Sequence, residues 1–150
     1  DHGPGGFAGL TELWDLDKPV IAAVNGLAFG GGFELALSCH ARIMAPDGSV
    51  GLPESRIGMM PGAGGTQRLP RLVGALAALE MVSSGRHVGA AEALQRGMVD
   101  EIATDLRKAA LLRAGALADA GHWPVTSARD VAPVDRAAFD AALSGGATSP

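Results

Sequence analysis

The chain has 150 residues, 47% of them hydrophobic, with a net charge of -4 and a single cysteine, Cys39. At that size one domain with a real core is expected, and the scattered arginines offer neither a nucleic-acid groove nor a polybasic membrane face. One cysteine excludes an internal disulfide and fits a reducing compartment, and no apolar run reaches the roughly 20 residues of a membrane span.

In chain order, residues 1–9 are glycine-rich and aperiodic, and read as the continuation of an upstream segment. Leu10, Leu13 and Trp14 are spaced as on a short helix over 10–16, with Trp14 packing into the core. Pro19–Val24 is an apolar, β-branched strand, followed by a glycine-dense turn through Gly30-Gly31-Gly32 and a helix over Phe33–Cys39. Ala41–Ala45 is a short strand, Pro46-Asp47-Gly48-Ser49 a turn, and Val50–Leu52 a second strand that ends at Pro53-Glu54. Residues 57–65 carry too much glycine and proline for a regular element and lead as a loop into a helix near Thr66. Leu72, Leu76, Leu79 and Val82 draw an apolar stripe, with a helix over Ala75–Ser83 closed by Gly85. Ala90–Gln95 is a short helix capped by Gly97, Met98–Ile102 an exposed extended segment, and Leu106–Ala120 the longest helix, stopped by Gly121 and Pro124. Beyond it only Arg136–Leu143 has helical character, so the expected division is a core over 1–120 and a poorly ordered or divergent tail over 121–150.

Chemistry concentrates where glycine does. Consecutive glycines before a helix let the backbone approach a ligand, and the first helical turn offers N–H groups and a partial positive charge that suit a developing oxyanion. Glu34 stands in that first turn and Glu54 at the end of a strand facing the second glycine loop. Two carboxylates around one water could activate it and exchange a proton with carbon. The macrodipole alone would also favour Glu34, and Glu54 after proline fits a helix start, so spacing by itself leaves both readings open. His2, His40, His87 and His122 lack metal-ligand spacing; His40 follows a helix whose last carbonyls it can bond, and Cys39 reads as a small core residue. Gly62-Ala63-Gly64-Gly65 has no strand leading directly into it, no acidic residue at the ribose distance and no following lysine, which argues against dinucleotide and P-loop turns.

The runs Lys18–Gly26, Gly30-Gly31-Gly32-Phe33-Glu34-Leu35-Ala36, Gly51-Leu52-Pro53-Glu54 and Pro61–Pro70 resemble the crotonase (enoyl-CoA hydratase/isomerase) superfamily over residues 17–102. Within it, Gly3–Glu12 and Ala28–Leu37 are most similar to the carnitinyl-CoA dehydratase (crotonobetainyl-CoA hydratase) subfamily, whereas Pro61–Gln67 is more like ordinary enoyl-CoA hydratases. The resemblance implies an α/β fold, a crotonase-like spiral of repeated ββα units, incomplete here because N-terminal strands and C-terminal helices would lie outside the chain. It also implies an acyl-CoA lyase that adds or removes water across an α,β double bond, with no metal or redox cofactor, in a homo-oligomer built on trimers; the cytoplasm is the compartment expected from the single cysteine. By the same analogy the Gly31 N–H polarises the thioester carbonyl, Glu34 activates water, Glu54 handles the α-proton, and the Gly62 N–H lies near the reacting hydroxyl. The second oxyanion donor would precede Asp1, which motivates an alternative: a truncated, catalytically silent subunit acting only by association. His40 replaces a usual aspartate.

Overall fold

The computed structural model describes residues 3–146. Two short sheets are laid down alternately. Strands β1 (Ile21–Val24), β3 (Ala41–Met44) and β6 (Glu101–Ile102) form one parallel sheet in the order β1-β3-β6. The other is β2 (Leu27–Phe29), β4 (Ser49–Gly51) and β5 (His87–Gly89), with β2 and β4 parallel and β5 antiparallel to β4. Helix α1 (Gly31–Ser38) connects the first strand pair to the second, and α2 (Gly65–Val73) follows the second. Ile21 therefore stands beside Ala41 and Leu27 beside Ser49, one turn of a spiral over the next. This is the crotonase-like α/β arrangement of repeated ββα units, present in part.

The sequence hides β2 because its three residues lie inside the glycine-dense turn, too few to display a period. The turn works because Gly30, at φ 56° and ψ -129°, takes a conformation that would strain any residue with a Cβ. Helix α1 then begins two residues earlier than the helix formers suggest, at Gly31. Its inner face buries Phe33, Ala36 and Leu37 against Val24, Met44, Val50, Leu52 and Leu69. Helices α3 (Ala75–Ser84) and α4 (Ala90–Gln95) close the far side with Ala78, Met81, Ala90 and Ala93. Of the expected stripe, Leu72 and Val82 flank this core. Ala78 and Met81 are the fully buried line of α3, while Leu76 and Leu79 are half-buried.

Met98 and Val99 are also core residues, at 0% and 2% exposure, instead of part of an exposed strand. Their burial follows from Asp100, whose carboxylate accepts hydrogen bonds from the Arg42 backbone N–H (2.7 Å) and Nη2 (2.9 Å), drawing the segment against β3. Arg42 is itself 1% exposed, and burial lowers its pKa despite the nearby carboxylate. His40 does not bond the helix end. Its Nδ1 accepts the Val20 N–H at 2.9 Å, so it anchors the entry to β1, and its ring meets Trp123 edge to face.

No helix spans 10–16. A single 3-10 turn, Phe7–Gly9, is followed by a turn in which the Glu12 N–H goes to the Gly5 carbonyl (3.0 Å) instead of continuing a helical ladder. Trp14 is consequently 62% exposed, not in the core. Toward the C-terminus, α5 (Leu106–Ala120) lies over β1 and β3 with no buried residue, and α6 (Arg136–Gly146) packs on α3. Among the described residues no helix is long and apolar enough to cross a membrane.

Candidate active site

Glu34 is placed by α1 and Glu54 by a 3-10 helix, Pro53–Ile57, whose first position is the proline. The two line one cleft of about 310 Å³, together with Gly31 and Gly62. All four residues singled out in the sequence therefore face the same space. Phe7, Met59 and Met60 add apolar wall, and the Phe7 ring packs directly on the Gly31 backbone.

The environments of the two carboxylates differ. Glu34 is 2% exposed, and its Oε1 accepts the backbone N–H groups of Ala63 (2.8 Å) and Gly65 (2.7 Å). Gly65 opens α2, so Glu34 caps that helix from another part of the chain and gains from its dipole. A Cβ at Gly65 would fall 2.9 Å from Glu34 Oε1, so glycine is what permits this approach. Glu54 lies against Gly30, and its Oε2 is buried with no hydrogen-bond partner among the described residues. A carboxylate oxygen left unpaired at a cleft is costly as a structural feature and well suited to exchanging a proton. Gly31, the first residue of α1, has no acceptor for its N–H within the helix and carries the helix's partial positive charge into the cleft.

Arg68 was not legible as a site residue. It is 6% exposed, donates from Nη1 to the Ala63 carbonyl (3.1 Å) and from Nη2 to the Thr11 carbonyl, and sits 5.1 Å from the Trp14 ring centroid. It thereby ties the Thr11 segment to the loop that holds Glu34. Burial lowers its pKa, and the Glu34 charge opposes that shift. The sequence signal was present but faint: an arginine one helical turn after Gly64, on the face turned back toward the loop. Thr11, at 2% exposure, also lines the cleft with a buried hydroxyl that has no partner among the described residues.

Cys39 is buried, and burial pushes its thiol pKa up, which is the opposite of an activated nucleophile. His87 stacks on Phe29 across the second sheet, 3.9 Å between centroids. Among the described residues no group of three or more His, Cys, Asp or Glu could hold a metal ion.

This spiral, with its glycine turn and paired carboxylates, belongs to the enoyl-CoA hydratase/isomerase family, which residues 2–136 match. The carnitinyl-CoA dehydratase of Salmonella paratyphi B is 56% identical over 102 residues, 68% of this chain but 39% of the relative. Among solved structures, a carnitinyl-CoA hydratase from Mycobacterium avium superposes with a TM-score of 0.74 at 40% identity, over 79% of this chain and 46% of that one. An enoyl-CoA hydratase from Bacillus anthracis gives 0.70 at 43%, over 74% and 44%. The chain thus spans less than half the length of these relatives.

Proposed function

We propose that this chain carries the acid/base half of an acyl-CoA hydratase/dehydratase, acting on an enoyl-CoA thioester of the carnitinyl-CoA or simple enoyl-CoA type. The observation that carries the reading is the shared cleft of Glu34, Glu54, Gly31 and Gly62. The thioester oxygen accepts the Gly31 N–H, and the start of α1 stabilises the charge that grows there. With Oε1 committed to Ala63 and Gly65, Glu34 is held rigidly and turns its other oxygen to water. In hydration Glu34 takes the water proton as oxygen bonds to Cβ, and the double-bond electrons move onto the thioester oxygen as an enolate. Glu54, entering as the acid, then protonates Cα. Gly62 offers an N–H to the new hydroxyl. Elimination is the reverse, and a proton passing between the carboxylates through solvent restores the starting state. None of these steps calls for a cofactor.

Both glutamates are used in addition of water, whereas moving a double bond can be done with one, which favours hydration over isomerisation. The test is hydration of crotonyl-CoA and crotonobetainyl-CoA by the full chain and by Glu34→Gln and Glu54→Gln. Each variant should lose about a thousandfold in kcat; unchanged rates in both would overturn the assignment. A homo-oligomer built on trimers is part of the same proposal, and sedimentation of a monomer at assay concentration would remove it.

A further inference from the structure

A second cavity, of about 490 Å³, shares Thr11, Glu12, Gly62 and Ala63 with the catalytic cleft. Through those shared residues it adjoins the space in which Glu34 and Glu54 stand. Its remaining wall includes Trp14, Gln67, Arg68, Arg71 and Ser127. The charge there is uneven, two guanidinium groups against the single carboxylate of Glu12, and none of the three is in an ion pair among the described residues.

The two arginines differ in what they have left to offer. Arg68 is committed to two backbone carbonyls and to the face of Trp14. Arg71 has only its own helix: Nη1 donates to the Gln67 carbonyl at 2.6 Å, and Nε is buried without a partner among the described residues. An unpaired guanidinium beside an apolar ring fits a planar anion that it can meet with two parallel hydrogen bonds. A cationic acyl end would face two like charges, with one face of Trp14 already taken by Arg68. An alkyl end would leave Arg71 unsatisfied.

We propose that this cavity is a subsite for the far end of the acyl group, selecting an acyl chain that ends in a carboxylate, with Arg71 as the specificity-determining residue. The proposal rests on the acyl-CoA hydratase reading above and narrows its substrate, setting aside the cationic carnitinyl-type end that the reading leaves open. An anion could also come from the phosphates of coenzyme A, and the test separates the two sources.

The full chain is titrated calorimetrically with coenzyme A, hexanoyl-CoA and adipyl-CoA, the last two equal in chain length and different in the terminal carboxylate. Adipyl-CoA should bind about tenfold tighter than hexanoyl-CoA, the scale of a charged hydrogen-bonded pair. That ratio should collapse toward unity in Arg71→Gln and be partly kept in Arg71→Lys, with thermal melts confirming that both variants fold. Equal affinities in the parent chain overturn the proposal. So does an Arg71→Gln variant that weakens coenzyme A and both thioesters by one common factor, because Arg71 would then hold a phosphate. Tighter binding of crotonobetainyl-CoA, which ends in trimethylammonium, than of adipyl-CoA overturns it as well. Binding needs no turnover, so the two readings can fail separately. Adipyl preference without hydration of hexenoyl-CoA removes the reaction and keeps the subsite; hydration without preference removes the subsite alone.

Discussion

The two walls of the cleft are built on opposite principles. On one side Glu34 is buried at the junction of α1 and α2, with an oxygen shared between two backbone N–H groups. On the other, Glu54 rides on a short 3-10 helix and keeps a buried oxygen without a partner among the described residues. Glu34 is thus part of what holds two helices in place, whereas Glu54 is held by the fold and contributes little to it. The same residue type can serve structure and chemistry together, or chemistry at a cost to structure.

Glu34→Ala should separate the walls most sharply. Besides abolishing hydration, it strands the Ala63 and Gly65 N–H groups, and denaturant unfolding should register a loss of about 3 kcal/mol. Glu54→Gln should be as inactive in the hydration assay yet melt within a degree or two of the parent chain. Equal destabilisation by both would erase the distinction. Next in size, Asp100→Ala leaves buried Arg42 without its carboxylate, away from the cleft; chemical denaturation should show a loss of about 3 kcal/mol, with the glutamate geometry untouched. Gly65→Ala presses a methyl group onto Glu34 Oε1 and should cost about 2 kcal/mol together with a fall in kcat, since it disturbs the rigid wall alone.

A smaller effect is expected from pH. Burial lowers the His40 pKa, so the folded chain prefers the neutral ring that accepts the Val20 N–H. The unfolded chain then binds the proton more readily. Stability from this residue is present above the ordinary imidazole value of about 6.5 and is lost as pH falls through it. Melting temperature should drop on acidification over that range, less steeply in His40→Gln. The smallest change belongs to Glu92→Gln. Glu92 pairs with Arg86 and Arg96 at the surface, where such pairs are worth about 0.5 kcal/mol, and neither wall should respond in a melt or an assay.

Much of this was readable from local patterns. Helix α5 has the boundaries its helical pattern predicts, Leu106–Ala120: Gly121, the expected stop, adopts a left-handed conformation, and at the other end Asp105, not singled out in the sequence, caps the helix by accepting the Lys108 N–H. Helix α4 likewise ends where Gly97 allows. The segment 10–16 failed for the complementary reason. Its apolar spacing suits a helix, but a hydrogen bond from Glu12 to Gly5 competes locally, and Trp14 is drawn over Arg68, a partner 54 positions away that no window of sequence contains.

The sequence by itself determined the alternation of short strands and helices, the glycine turn before α1, and Glu34 and Glu54 as a candidate acid/base pair, while Gly31 and Gly62 were picked out by the family resemblance. These are properties of neighbouring residues, set by backbone freedom, periodicity and side-chain type. Only the tertiary structure decided that the four meet in one cleft, that Glu34 caps α2 across 31 positions, and that Arg68 and Arg71 turn an adjoining cavity positive. Those outcomes depend on which spiral turn packs on which, and that register is written in the summed burial of Phe33, Leu37, Leu52 and Leu69, not in any one motif.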